Sequence, residues 1–140
     1  MSVLVRTWRL VLCITALFFL VGGVNLTDGL QMPNPHQVPV MDGDAGPCSV
    51  AFTVTDIKGA PVYDGRIRVH IAYGFAGVRR LDLEAATNVD GKTQFKGLPE
   101  KVKGGTLMFH AAQGKREGSA VYDPAKNCNG QQNSIVLTEN

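Results

Sequence analysis

Three side chains between positions 70 and 110 belong to types that bind metals: His70, Asp82 and His110. Imidazole nitrogens and carboxylate oxygens are common ligands of zinc and copper. Their spacing matches no clustered ligand motif, so we treat the three as weak ligand candidates for a metal ion or a carbohydrate. The third histidine, His36, follows a proline in a segment without a second ligand-type side chain at useful spacing. We interpret it as a linker residue, and the sequence predicts no metal centre and no cofactor.

Other catalytic constellations are missing from the sequence. We find no Ser/His/Asp or Cys/His arrangement and no phosphate-binding glycine loop. The first hypothesis is therefore a protein that is not an enzyme and that has a structural or weak binding role. A small carbohydrate- or metal-binding protein and an uncharacterised enzyme are the alternatives.

Composition restricts the classes of partner. The chain has 140 residues, of which 44% are hydrophobic and 19% charged, with a net charge of +2, which is typical of a globular domain. Arg6 and Arg9 lie in the N-terminal segment, and the remainder has 12 basic residues against 12 acidic ones. A neutral domain lacks the basic surface of a nucleic-acid-binding protein.

The N-terminal third resembles an export signal followed by a spacer. Residues 1–24 combine two arginines with the apolar run "LVLCITALFFLV", which predicts a hydrophobic helix that is either a cleaved signal peptide or a membrane anchor. Residues 25–47 contain four prolines and three glycines without periodicity, so we expect a flexible linker. Either form of the N-terminal segment predicts export to the periplasm or the cell exterior, where an envelope protein or a surface glycan would be the partner.

Residues 48–140 alternate between apolar and polar side chains over short runs. This pattern predicts strands with one buried face, and seven of them suggest a two-layered antiparallel sandwich of Ig-like or prealbumin-like type. The strand candidates are residues 48–56, 66–73, 78–85, 92–97, 106–112, 119–122 and 133–138. One register is predicted from parity: if Tyr73 lies opposite Arg79, then His70 faces Asp82 and Arg68 faces Glu84 on the solvent side. We interpret these charges as a solvated sheet face.

The turn and core motifs resemble a known family. The stretches "FTVTDIKGAPVYDGRIRVHI" and "TNVDGKTQFKGLPEKVKGGTLMFHAAQG" are similar to the carboxypeptidase regulatory-like domain of the transthyretin-like group, over about residues 48–112. The resemblance implies a non-catalytic accessory module on an exported protein. Starch-binding and dioxygenase relatives need Trp-based or Tyr/His-based sites, and the only tryptophan here is Trp8, in the N-terminal segment.

Two further features of the sequence predict a disulfide bond and a residue that contacts a partner. Cys48 and Cys128 are the two cysteines outside the N-terminal segment, and in an exported chain they are expected to form one disulfide. In the prealbumin-like arrangement the first and last strands lie close together, which the resemblance implies for this pair. Phe75 lies at the centre of the loop "GFAG" and is the candidate for partner contact.

Overall fold

In the computed structural model, which describes residues 32–139, the alternating segments form eight β-strands. A single 3₁₀ turn, Phe75–Gly77, is the one helical element of the described part of the chain. The strands are β1 (Val40–Asp42), β2 (Cys48–Asp56), β3 (Arg66–Tyr73), β4 (Arg79–Ala86), β5 (Lys92–Leu98), β6 (Leu107–Gln113), β7 (Arg116–Tyr122) and β8 (Gln131–Glu139).

The eight strands form one sheet in the order β1-β5-β2-β8-β7-β6-β3-β4. Two pairs, β1–β5 and β2–β8, are parallel, and the other pairs are antiparallel. The sheet curls until its edge strands approach each other: a Cβ added to Gly43, just after β1, would lie 3.0 Å from a methyl carbon of Leu81 on β4. The fold is therefore all-β and nearly closed.

The all-β prediction is confirmed, but the seven-stranded antiparallel sandwich is wrong. The structure has an eighth strand, two parallel pairs and one continuous sheet in place of two separate layers. The additional strand, β1, has only three residues, which is too short for a period-two pattern to be visible in the sequence.

The segment before Cys48 contributes to the domain. Residues 40–42, expected in the flexible linker, pair with β5, and the Gln94 amide donates a hydrogen bond to the Pro39 carbonyl at 2.9 Å. The ordered domain therefore begins before the boundary that the sequence suggested. The predicted signal peptide or anchor at residues 1–24, with its hydrophobic helix, lies outside the described residues. Over 32–139 no helix is long and apolar enough to cross a bilayer.

The predicted register of β3 and β4 is confirmed. Tyr73 lies opposite Arg79, His70 opposite Asp82 and Arg68 opposite Glu84. A shift of β4 by one residue would turn Arg80 toward the apolar interior, where an unpaired charge is costly. The buried face is thus what fixes the position of every polar side chain on the opposite face.

Four aromatic rings fill the centre of the interior. Phe109 of β6 lies 4.6 Å from the ring centre of Phe52, 5.1 Å from that of Phe95 and 6.4 Å from that of Tyr122. All four side chains are at most 1% exposed. Because the rings come from four different strands, this cluster joins distant parts of the sheet into one core.

A disulfide links the beginning of β2 to the loop that precedes β8. The structure joins Cys48 to Cys128, 80 positions apart, which is the pair expected for an exported chain. Beside the bond, the Ser49 amide donates to the Cys128 carbonyl at 2.7 Å. The bridge therefore fixes one end of the parallel β2–β8 pair.

Candidate functional site

Polar side chains gather on the outward surface of β4, β3, β6 and β7, which we call the outer face. Strand pairing places Glu84, Arg68, His110 and Ser119 at successive positions across these four strands. Two residues further along β3, and on the same face, His70 lies opposite Asp82. The alternation that buries Val69 and Phe109 forces their neighbours outward, so the packing of the core arranges this surface.

Two adjoining cavities open on the outer face. The larger, of about 580 Å³, has Arg66, Arg68, His110 and Gln113 in its wall. The smaller, of about 270 Å³, is lined by polar side chains of β3, β4 and β6 together with Val69 and Leu83. Arg68 and His110 line both cavities. A ligand of a few carbon atoms in either cavity could therefore contact both Arg68 and His110.

His70 and Asp82 form a hydrogen-bonded pair in the wall of the smaller cavity. Nδ1 of His70 lies 2.5 Å from Oδ1 of Asp82. An ionised carboxylate can only accept a hydrogen bond, so Nδ1 carries the proton that is donated. In the neutral ring Nε2 then has the lone pair, which can accept a proton. The pair has the arrangement of a general base with its orienting group.

Glu84 holds two arginines in place on the outer face. Nη1 of Arg66 donates to one carboxylate oxygen at 2.9 Å, and Nε of Arg68 donates to the other at 2.5 Å. These bonds, that from Arg66 first, lower the pKa of Glu84, and the same contact raises the pKa of Arg66. Two guanidinium groups thus share the carboxylate of Glu84, and the charge of Asp64 also acts on Arg66.

Arg68 keeps binding capacity beyond its contact with Glu84. It donates through Nε, and its two terminal nitrogens have no hydrogen-bond partner among residues 32–139. A guanidinium group presents paired donors that match a carboxylate in a bidentate geometry. Arg68, which borders both cavities, is thus placed to bind an anionic group beside His70.

The three sequence candidates share one surface, but they do not form a metal site. His70 and Asp82 bind each other, and His110 lies on the next strand beside Arg68. In the described part of the chain no group of three or more His, Cys, Asp or Glu side chains could hold a metal ion. The carboxylate that would be a ligand is already engaged with His70. The two arginines were not singled out from the sequence, because alternating charges on a strand resemble any solvated face.

The two remaining residues that the sequence analysis discussed, His36 and Phe75, lie away from the two cavities. His36 is bound through Nδ1 to Asp90 at 3.0 Å, in the segment before β1. Phe75 projects from the loop between β3 and β4 with 93% of its surface exposed. Neither side chain lines the two cavities of the outer face.

The tyrosines do not join the histidines of the outer face. Tyr122 is buried in the core, where its hydroxyl donates to the Asn127 carbonyl at 2.8 Å and burial raises its pKa. Tyr73 alternates in phase with buried Ile71, so it points away from the face that carries His70. Tyr63 lies in the loop between β2 and β3. The described residues therefore do not assemble a Tyr/His-based site on this face.

Comparison with known proteins identifies structural neighbours only. No family model matches the sequence, and no curated protein matches it either. Among the solved structures that match is a catechol 1,2-dioxygenase from Acinetobacter sp. ADP1, 10% identical over 74% of this chain, with a TM-score of 0.43. A chlorocatechol 1,2-dioxygenase from Pseudomonas putida is 11% identical over 73% of the chain, with a TM-score of 0.46. A hydroxyquinol 1,2-dioxygenase from Pseudomonas putida DLL-E4 is 12% identical over 92%, with a TM-score of 0.44.

The match is partial in length. It covers 59% of the Acinetobacter chain, 67% of the chlorocatechol enzyme and 71% of the hydroxyquinol enzyme. At this identity and these TM-scores, no substrate or reaction is carried over from the dioxygenases to this chain.

The comparisons nevertheless correct the expectations that rested on the family resemblance. The neighbours found are enzymes, and they are dioxygenases rather than carboxypeptidase regulatory-like domains. The predicted transthyretin-like membership is wrong, and so are the non-catalytic role and the absence of enzymatic activity inferred with it. The quoted motifs describe turns and buried positions, which different β-folds have in common.

Proposed function

We propose that the outer face is an acid–base site that binds a small carboxylate-bearing substrate and removes a proton from it. The observation that carries this proposal is the hydrogen bond between His70 and Asp82 at 2.5 Å, in the wall of a cavity that Arg68 also lines. Such a reaction needs at least a base with a fixed tautomer, here His70, and hydrogen-bond donors that bind the substrate carboxylate, here the terminal nitrogens of Arg68.

Each side chain has a distinct role in this reaction. Arg68 binds the substrate carboxylate through its terminal nitrogens, while Glu84 fixes the orientation of the guanidinium group. Nε2 of His70 accepts the substrate proton, and Asp82 fixes the orientation and tautomer of the ring. His110, in the wall of both cavities, is the second group that could return a proton to the substrate.

Proton exchange with solvent tests this function directly. The purified full chain is incubated in D₂O with a panel of hydroxy acids, oxo acids and sugar acids, and deuterium bound to carbon is measured by mass spectrometry. We expect exchange into at least one compound, and we expect His70→Gln to slow it by about 100-fold or more, since a positioned base contributes that much. Asp82→Asn should slow the same exchange.

A second histidine–aspartate pair provides a matched control. His36 and Asp90 are also exposed and hydrogen-bonded, at 3.0 Å, but they lie outside the cavities of the outer face. His36→Gln is therefore expected to leave the exchange unchanged. Equal exchange in the parent protein and His70→Gln would exclude His70 as the base.

Export of the chain remains part of this proposal. The disulfide between Cys48 and Cys128 supports an oxidising compartment, because such bonds persist in the periplasm and outside the cell and are rare in the cytosol. The arginines and the apolar run of residues 1–24 support the same location.

A further inference from the structure

The loop between β3 and β4 exposes apolar side chains on a fixed backbone. We call residues 74–78 the tip. Phe75 is 93% exposed and Val78 is 73% exposed. Two hydrogen bonds close the turn, from the Gly77 amide to the Gly74 carbonyl at 3.1 Å and from the Val78 amide to the Phe75 carbonyl at 3.2 Å. The turn thus presents a large aromatic ring to solvent instead of burying it.

The neighbouring loop between β5 and β6 is attached to the tip. The Lys103 amide donates to the Ala72 carbonyl at 2.7 Å, and Val102 forms a β-bridge with Tyr73. The carbon chain of Lys103 lies against Gly77, where an added Cβ would be 2.8 Å from Cδ of the lysine. The ammonium group of this lysine therefore stands beside the exposed apolar residues.

Basic residues surround the tip with little opposing charge. Arg79 and Arg80 begin β4, and Lys101 and Lys103 belong to the attached loop. None of the four forms an ion pair with a residue in 32–139, unlike Arg66 and Arg68. Within residues 74–80 and 99–106 the one acidic residue is Glu100. Within these two segments four cations stand against one carboxylate, so their net charge is positive.

We propose that the tip is a peripheral docking site for a lipid bilayer rich in anionic headgroups. Phe75 and Val78 enter the boundary between headgroups and acyl chains, and the four basic side chains reach the headgroup charges. Lysine and arginine suit this position because their carbon chains pack along apolar groups while the charge remains in water. Residues 74–78 line neither cavity of the outer face, so docking through the tip adds membrane recruitment to the proposed reaction.

A single tryptophan at the tip tests this docking. The chain has one tryptophan, Trp8, so Trp8→Phe combined with Phe75→Trp gives a full-length protein that reports from the tip alone. We expect its emission to shift to the blue with phosphatidylglycerol-containing vesicles and to be quenched by brominated acyl chains. Phosphatidylcholine vesicles should give no shift. Each basic residue near an anionic surface contributes about five-fold in partitioning, so Lys101→Glu with Lys103→Glu should raise the lipid concentration for half-maximal shift by at least about ten-fold.

A tryptophan at the opposite end of the sheet is the matched control. Tyr63, 62% exposed, lies in the loop between β2 and β3, and Tyr63→Trp with Trp8→Phe should show neither shift nor quenching. Emission from position 75 that does not change with anionic vesicles would overturn the proposal. A shift of equal size at both positions would also overturn it, because the membrane contact would then not be specific to the tip. A shift at position 75 that survives the double charge reversal would overturn it as well, because the basic residues would then not bind the headgroups.

Discussion

Phe109→Ala is expected to lower the free energy of unfolding by about 3–5 kcal/mol. Phe109 is fully buried and its ring contacts those of Phe52, Phe95 and Tyr122, which belong to three other strands. Removing the ring eliminates apolar contacts on all sides and leaves a cavity that strands held by a continuous hydrogen-bonded sheet cannot readily fill. Urea denaturation followed by circular dichroism measures the effect.

An exposed phenylalanine provides the control for this prediction. Phe75 is 93% exposed, so Phe75→Ala should change the free energy of unfolding by less than about 0.5 kcal/mol. A loss of similar size in both variants would contradict the position of Phe109 at the centre of the core.

Replacing Cys48 and Cys128 together by serine is expected to lower the free energy of unfolding by about 4 kcal/mol. The bond closes a loop of 80 positions, and in the chain-entropy account a long loop restricts the unfolded chain most strongly. It also fixes the end of β2 beside β8, a parallel pair whose strands are far apart in sequence. Denaturation of the parent protein with and without reductant should reproduce the same difference.

The remaining cysteine distinguishes the bond from general thiol effects. Cys13 lies in the N-terminal segment, and Cys13→Ser should leave the stability of the domain unchanged. Mass spectrometry of the exported protein under non-reducing conditions should find Cys48 and Cys128 linked. If both thiols are found free, the assigned bond and the compartment argument fail together.

The local parts of the fold were predictable because burial alone decides them. A strand pair with one apolar face has a single acceptable register, and the pairing of His70 with Asp82 followed from excluding Arg80 from the core. The order of the strands could not be derived in this way. The partners of β1 and β8 depend on long-range pairing, for which neither the three residues of β1 nor the connecting loops contain a periodic signal.

The candidate site shows the same division between local and long-range information. The His70–Asp82 pair lies within one hairpin, and its contact could be predicted. His110 joins the site through the pairing of β6 with β3, about forty positions earlier in the chain, which alternation cannot specify. Arg68 becomes a candidate for anion binding only through this pairing, because it then lies between Glu84 and His110.

The tautomer of His70 is the most direct test of the proposed acid–base site. Long-range ¹H–¹⁵N spectra of the full chain are recorded at pH 8, where an ordinary imidazole is neutral. The account predicts that His70 carries its proton on Nδ1, donated to Asp82, and that Asp82→Ala abolishes this preference. A proton on Nε2 of His70 in the parent protein, or a tautomer that is unaffected by Asp82→Ala, would contradict it.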